Sequence, residues 1–142
     1  MNEKFIQNLD KLPADVRREF ALLANRYGEK KKQDTIQTDF LSFVKHVWPD
    51  FIEGSHHKRI ADKFNKLASG EIKRLIINMP PRHTKSEFAS FLLPAWMVGR
   101  KPDLKIIQTT HTTELAIRFG RKAKTLIDSP EYQNIFGTKL RE

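Results

Sequence analysis

The stretch Leu75–Ser86, which reads LIINMPPRHTKS, decides the fold that the sequence predicts. Its first three residues, Leu-Ile-Ile, form a short apolar run between charged residues and Pro80-Pro81, which is typical of a strand buried on both faces. After the two prolines, apolar residues recur at helical spacing over 85–98. A strand, a tight loop, the pair Lys85-Ser86 and a helix therefore follow one another as they do in a phosphate-binding loop.

The chemistry of phosphate binding explains why this order matters. A loop between a strand and a helix turns several backbone N–H groups toward one point, and the helix N-terminus adds about half a positive charge there. A lysine at the helix start reaches the β- and γ-phosphates, and the hydroxyl that follows it ligates magnesium. Lys85 and Ser86 stand in these two places.

The loop departs from the consensus G-x-x-x-x-G-K-S/T, because Met79 and Thr84 stand where the two glycines would be. Glycine permits positive φ, whereas a β-branched residue is strained there. Either the loop follows a different path, or the Thr84 hydroxyl and the rigid Pro80-Pro81 pair replace what glycine does. The alternative to a phosphate site is a basic helix N-terminus after a Pro-Pro turn.

Two further side chains belong to the loop. Arg82, beside bound phosphates, would stabilise charge on a transferred phosphoryl group, as an arginine finger does. Its alternative role is an exposed charge or an ion pair with Glu87. We expect His83 to be exposed and to offer mainly its backbone N–H.

The sequence pattern outside this stretch predicts helices before it and one more strand and helix after it. Alternating strands and helices predict an α/β fold in which helices cover a parallel sheet, although two strands do not complete such a sheet. A short linker is predicted after the first helix, out to Gln37. The predicted segments are helices over about 10–32, 38–48 and 56–69, a strand over 105–109, and a helix that ends at 127.

Particular residues predict where the helices begin and end. Thr38 or Asp39 can cap the second helix, and Gly70 stands where a C′ glycine ends the third. Pro94 should kink or shorten the helix over 85–98, because it lacks a backbone donor and crowds the Ser90 carbonyl.

Composition limits the class of protein. The chain has 142 residues, which corresponds to one domain or a piece of a larger one. It has no cysteine, which excludes a disulfide framework, a thiolate zinc site and a cysteine nucleophile. Its longest apolar run, 91–98, is far shorter than the ~20 residues of a membrane span. The formal net charge of +9 fits a polyanionic partner, and equally a basic surface without a specific partner.

The segment Asn78–Glu87, NMPPRHTKSE, resembles the deviant Walker A segment of the large terminase subunit of tailed bacteriophages. In that family the segment usually reads Pro-Pro-Arg-x-Gly-Lys-Ser/Thr. The similarity extends over about 56–129. It includes HHKRIA at 56–61, GEIKRLIIN at 70–78, LPAW at 93–96 and TELAIRFGRK at 113–122.

This resemblance implies a domain organisation and a function. Residues 56–142 would be the first part of an incomplete RecA-like P-loop ATPase core, and residues 1–55 an N-terminal helical segment that precedes it. The chain would be the ATP-binding part of a motor that uses ATP hydrolysis to package double-stranded DNA into capsids. We expect it to be inactive alone, because it ends before the Walker B strand and lacks the nuclease domain.

The resemblance also implies roles for individual residues and partners. Lys85 and Arg82 would be catalytic, Ser86 would hold the Mg²⁺ of Mg-ATP, and His56 or His57 would be weak candidates for adenine contacts. The implied partners are double-stranded DNA, the portal, the small terminase subunit and further copies in a homo-oligomeric ring. The implied location is the host cytoplasm, at the procapsid, with no membrane. The nucleotide-binding residues would be Pro81, Arg82, His83, Thr84, Lys85 and Ser86.

Two other interpretations stay open. One is a small basic DNA-binding or adaptor module with a vestigial loop; Arg118, Arg121 and Lys122 lie at i, i+3 and i+4 on one helix face, with Lys124 nearby. A solvated helix face explains the same charges. The other is a nucleotide kinase, although nothing resembles its acceptor site. The five histidines predict no metal site, because no His-x-x-x-His pair exists.

Overall fold

The computed structural model of this chain describes residues 13–137, whose regular structure is helical. The chain divides after Asp34 into two units. No helix within the described residues is both long and apolar enough to cross a bilayer. The helices are Ala14–Thr38 (α1), Phe40–Val47 (α2), Ser55–Ser69 (α3), Lys85–Glu87 (α4), Leu93–Arg100 (α5), Thr113–Ile127 (α6) and Pro130–Phe136 (α7), and the π-helical turn Phe88–Leu92 joins α4 to α5.

The predicted α/β fold is wrong, because no strand or sheet forms between residues 13 and 137. A RecA-like core with a parallel sheet is therefore overturned. Both predicted strands leave isoleucines in solvent: Ile76 is 86% exposed and Ile107 is 90% exposed. A parallel sheet needs helices on both faces and more than two strands. Here the helices bury their apolar faces against one another, and neither segment pairs with a second strand.

The segment before the loop keeps part of the predicted pattern. Leu75, Ile77 and Met79 pack partly buried against the helical core, while Ile76 and Asn78 between them are exposed. Alternation with a period of two is typical of an extended segment with one buried face. The apolar run is thus half-buried on helices, and it is not a strand buried on both faces.

The first helix is longer at its C-terminal end than the sequence predicts. The predicted linker out to Gln37 is wrong, because α1 continues through Gly28 and the lysines 30–32 to Thr38. Lysine, glutamine and glutamate are good helix formers, which favours the longer helix. The predicted start near Asp10 lies outside the described residues. The apolar stripe of this helix is between 39% and 72% exposed at Val16, Phe20, Leu23 and Tyr27.

The second unit has an aromatic core around Phe40, which is fully buried. Its ring packs edge-on against Phe64, Phe88 and Trp96, with centroids 5.1, 5.4 and 5.5 Å away. Such pairs are worth about 0.5–1.5 kcal/mol beyond the area that they bury. The core holds α2, α3, α5 and the π-helical turn together, and so it fixes the helix that starts at the loop.

The predicted helix ends are largely confirmed. Asp39 caps α2 by accepting a 2.7 Å hydrogen bond from the Ser42 N–H, and Gly70 ends α3 with a φ of +84°. Pro94 does not end the predicted helix, which runs from 85 to 100. The π-helical turn precedes the proline, and the Leu93 N–H donates to the Phe88 carbonyl five residues back.

Candidate phosphate-binding loop

The structure brings all six predicted nucleotide-binding residues to one place. Residues 79–86 line an open cavity of about 660 Å³ at the start of α4, together with Glu87 and Arg118. A second open cavity, of about 720 Å³, is lined by parts of α2 and α6 and also includes Arg118. The loop cavity is therefore larger than a single phosphate group, and Arg118 of α6 contributes to its lining.

The backbone of the loop is strained at two residues. Arg82 has a φ of +64° and Thr84 a φ of +56°, and both are left-handed values that glycine adopts readily. Thr84 stands at the position of the second consensus glycine and takes the conformation that this glycine permits. Met79, at the first glycine position, has no positive φ. Strain of this kind costs about 1–3 kcal/mol per residue and clusters at functional sites.

Hydrogen bonds inside the loop hold this turn in place. The Nδ1–H of His83 donates to the Pro81 carbonyl over 2.8 Å, and the Thr84 hydroxyl donates to the His83 carbonyl over 2.7 Å. His83 is exposed, as the sequence predicts. Its ring nevertheless has a structural bond, so its contribution is more than its backbone N–H.

His57, which the resemblance implies only as a weak candidate for adenine contacts, bonds to the loop itself, and the sequence does not predict this contact. Its Nε2 lies 2.7 Å from the Thr84 hydroxyl, and its Nδ1 accepts a 2.9 Å bond from the Gly54 N–H. The ring is 5% exposed. Burial, together with the neighbouring His56, lowers the pKa of His57 below its usual value of 6.5. Its place three residues after Gly54 is a weak helix-capping signal. No sequence pattern predicts its contact with Thr84, which is 27 residues away.

Lys85 and Ser86 are the first two residues of α4, directly after the loop. The Lys85 ammonium reaches back across the loop and donates to the Met79 carbonyl at 3.3 Å, and Ser86 is exposed. The first helical bond of this run is that from the Phe88 N–H to the Thr84 carbonyl. The backbone N–H groups before it belong to the first turn, which offers them no intrahelical acceptor.

An ion-pair group ties the loop to α6. Both carboxylate oxygens of Glu87 accept 2.8 Å bonds from Lys122, and Arg118 lies 4.0 Å away. The alternative pairing of Arg82 with Glu87 is not observed; Arg82 is exposed and forms no ion pair with a described residue. The Arg82 guanidinium thus remains at the cavity, and Glu87 is occupied by the basic face of α6.

The donor set fits a magnesium ion that arrives with a nucleotide. Mg²⁺ keeps several waters and takes few protein ligands when phosphates supply the rest, so the single hydroxyl of Ser86 suffices. Within residues 13–137, no group of three His, Asp or Glu side chains is arranged to hold a metal ion by itself.

Comparisons of this chain with protein-family models, with curated proteins and with solved structures find no match.

Proposed function

We propose that residues 79–86 bind the phosphate groups of a nucleotide, with Mg-ATP as the ligand. The observation that carries the proposal is the conformation of Thr84, which adopts the left-handed backbone of the missing glycine directly before Lys85 and Ser86. A loop that turns its amides toward one point uses such left-handed residues, and backbone strain of this kind clusters at functional sites.

Each group has a role in this proposal. The amides of the first helical turn hold phosphate oxygens, and the Lys85 ammonium exchanges its long bond to the Met79 carbonyl for a charge-assisted bond to the β- and γ-phosphates. Ser86 provides one oxygen to Mg²⁺. Arg82, exposed at the cavity, adds a positive charge beside the γ-phosphate.

The biological setting of this binding comes from the sequence alone. We propose that the chain serves a DNA-packaging ATPase of the large-terminase type, because NMPPRHTKSE at 78–87 resembles that family's loop. Double-stranded DNA, the portal, the small terminase subunit and further copies of the chain are its proposed partners, at the procapsid in the host cytoplasm. The RecA-like core forms no part of this proposal, which depends on the loop and on the resemblance.

The first experiment removes the Lys85 ammonium. Isothermal titration calorimetry of the 142-residue chain with Mg-ATP should show binding that Lys85→Ala weakens about 10- to 100-fold, since a hydrogen bond to a charged group is worth about 1.5–3 kcal/mol. Lys63→Ala is the matched control, because Lys63 is exposed on α3 and does not line the loop cavity. Equal affinities for the wild type and Lys85→Ala, or no binding by either, would refute the proposal.

The second experiment isolates the Arg82 guanidinium from its backbone. Arg82→Gly removes the charge and retains a residue that accepts a φ of +64°, whereas Arg82→Ala removes the charge and keeps the strain. If the guanidinium contacts the γ-phosphate, both variants lose affinity for ATP, and they lose less for ADP. An unchanged affinity in Arg82→Ala would show that the guanidinium does not contact the γ-phosphate, and a change in Arg82→Gly alone would assign the effect to the backbone.

A second candidate function is DNA binding by α6. Arg118 and Arg121 are exposed on its surface, beside the cavity of about 720 Å³. Lys122 is half-buried and bound to Glu87, so it contributes less. Duplex affinity should fall steeply with salt if several phosphates are contacted. The double variant R118A/R121A should then reduce the salt slope by about two. An unchanged slope would eliminate this candidate.

A further inference from the structure

On the premise of the proposed function, we infer that His57 is a positioning residue for the phosphate loop, which holds Thr84 in its left-handed conformation. The loop has no glycine, so another part of the molecule must maintain the shape that glycine would allow. The hydrogen bond from His57 to the Thr84 hydroxyl reaches the strained residue from a different helix.

The hydrogen bonds fix the tautomer of His57. The Gly54 backbone N–H can only donate, so Nδ1 of His57 accepts and carries no proton. In the neutral ring the proton is then on Nε2, which donates to Thr84 Oγ1 at 2.7 Å. The Thr84 hydroxyl in turn donates a hydrogen bond to the His83 carbonyl. Each hydrogen bond in the series from Gly54 through His57 and Thr84 to His83 therefore has one donor and one acceptor.

The ring of His57 is itself held rigidly. It is 5% exposed and packs against Phe51 and Phe88, with ring centroids 4.8 and 5.1 Å away. Phe88 belongs to the helical run that starts at the loop, and Phe51 lies in the segment before α3. A side chain with this little freedom can define the position of the hydroxyl that it contacts, and so the rotamer and the backbone of Thr84.

The titratable groups around His57 are few. His56 lies beside it on α3, with ring centroids 3.8 Å apart, and the ring of His83 faces His56 from the loop at 5.7 Å. Glu53 precedes the helix and is bound by Lys45 and Lys58. Protonation of His57 would place a second N–H against the Gly54 N–H, so the hydrogen-bonded arrangement requires the neutral ring.

A double-mutant cycle tests the inference through affinity for Mg-ATP. The variants are H57A, T84G and the double variant H57A/T84G of the full chain. In the wild-type background, H57A should weaken binding about tenfold, because Thr84 then leaves the left-handed region. In the T84G background, H57A should change affinity by less than about twofold, since glycine needs no support. Equal losses in both backgrounds would overturn the inference.

Two matched substitutions separate the two bonds of His57. H57Q can place an amide N–H near Nε2 and so retain the bond to Thr84, whereas H57N can place a carbonyl near Nδ1 and retain the bond to Gly54. H57Q should rescue affinity, and H57N should behave as H57A. Rescue by H57N alone would assign His57 to capping α3 and would overturn the inference.

A measurement without nucleotide separates this inference from the proposed function. In the NMR spectrum of the wild-type chain, a positive φ at Thr84 gives strong cross-relaxation between its amide proton and its Hα, and the His57 ring nitrogens report the Nε2–H tautomer. H57N should lose the first signal and H57Q should keep it. If these signals behave so but no ATP binds, the proposed function fails and the positioning role stands. If the Thr84 signal is the same in all variants, the positioning role fails.

Discussion

Substitutions of Thr84 give a stability order that depends on its left-handed backbone. At an ordinary site, alanine is more stable than glycine by about 0.4–1 kcal/mol, because glycine has more unfolded conformations to lose. To keep a φ of +56°, alanine must bear a strain of about 1–2 kcal/mol that glycine does not. The difference between these ranges leaves Thr84→Gly up to about 1.5 kcal/mol more stable than Thr84→Ala, which reverses the usual order.

Both variants also lose the hydroxyl that His57 contacts. The Nε2–H of a ring that is 5% exposed is then left without its acceptor, which costs about 1–3 kcal/mol. The free energy of unfolding of Thr84→Ala should therefore be about 1–3 kcal/mol lower than that of the wild type. Thr84→Ser keeps the hydroxyl and should stay within about 0.5 kcal/mol of the wild type.

Urea unfolding at pH 7.5, with comparable m-values for all four proteins, measures these differences. The result that refutes the reasoning is an alanine variant more stable than the glycine variant, since that is the order of a residue with negative φ. A serine variant as unstable as the alanine variant would refute the hydrogen bond and leave the backbone assignment intact.

Three further predictions concern stability. Asp39→Ala removes the cap of α2 and the 2.8 Å bond to Asn65, so urea unfolding should show a loss of about 1–2 kcal/mol. Tyr132→Phe removes the buried 2.7 Å bond from the phenol to the Ala95 carbonyl, and the same assay should show a loss of about 1 kcal/mol. The lowered pKa of His57 means that the unfolded chain binds its proton more tightly, so stability should fall as pH drops below 6.5 through the folded pKa. The H57Q variant should lack that part of the pH dependence in unfolding measured between pH 8 and pH 5.

The helices are predictable because the signals that form them are local. Asp39 caps α2 from the position next to its first residue, and Gly70 ends α3 with a positive φ. The apolar faces recur at helical spacing, so each helix can be recognised from its own residues. Pro94 is a partial exception, because it follows a π-helical turn and the helix continues past it to Arg100.

The strands fail for the opposite reason. Leu75–Ile77 has the composition of a strand, but a strand exists only with a partner to bond and with surfaces that cover it. Within residues 13–137 the helices bury their apolar faces against one another in the aromatic core around Phe40, and Ile107 remains 90% exposed. Composition indicated the local tendency of these segments, and the available partners decided the outcome.

The loop combines both situations. The sequence alone leaves two alternatives for Thr84 at a glycine position: the loop follows a different path, or Thr84 adopts a strained positive φ. The answer depends on His57, which is 27 residues away and whose own position is set by Phe51 and Phe88. Phe88 also packs on Phe40, so the core that replaces the predicted sheet continues up to the residue that holds the loop. In this chain a packed core therefore supports the glycine-like turn of a loop without glycine, and no motif confined to residues 79–86 contains that support.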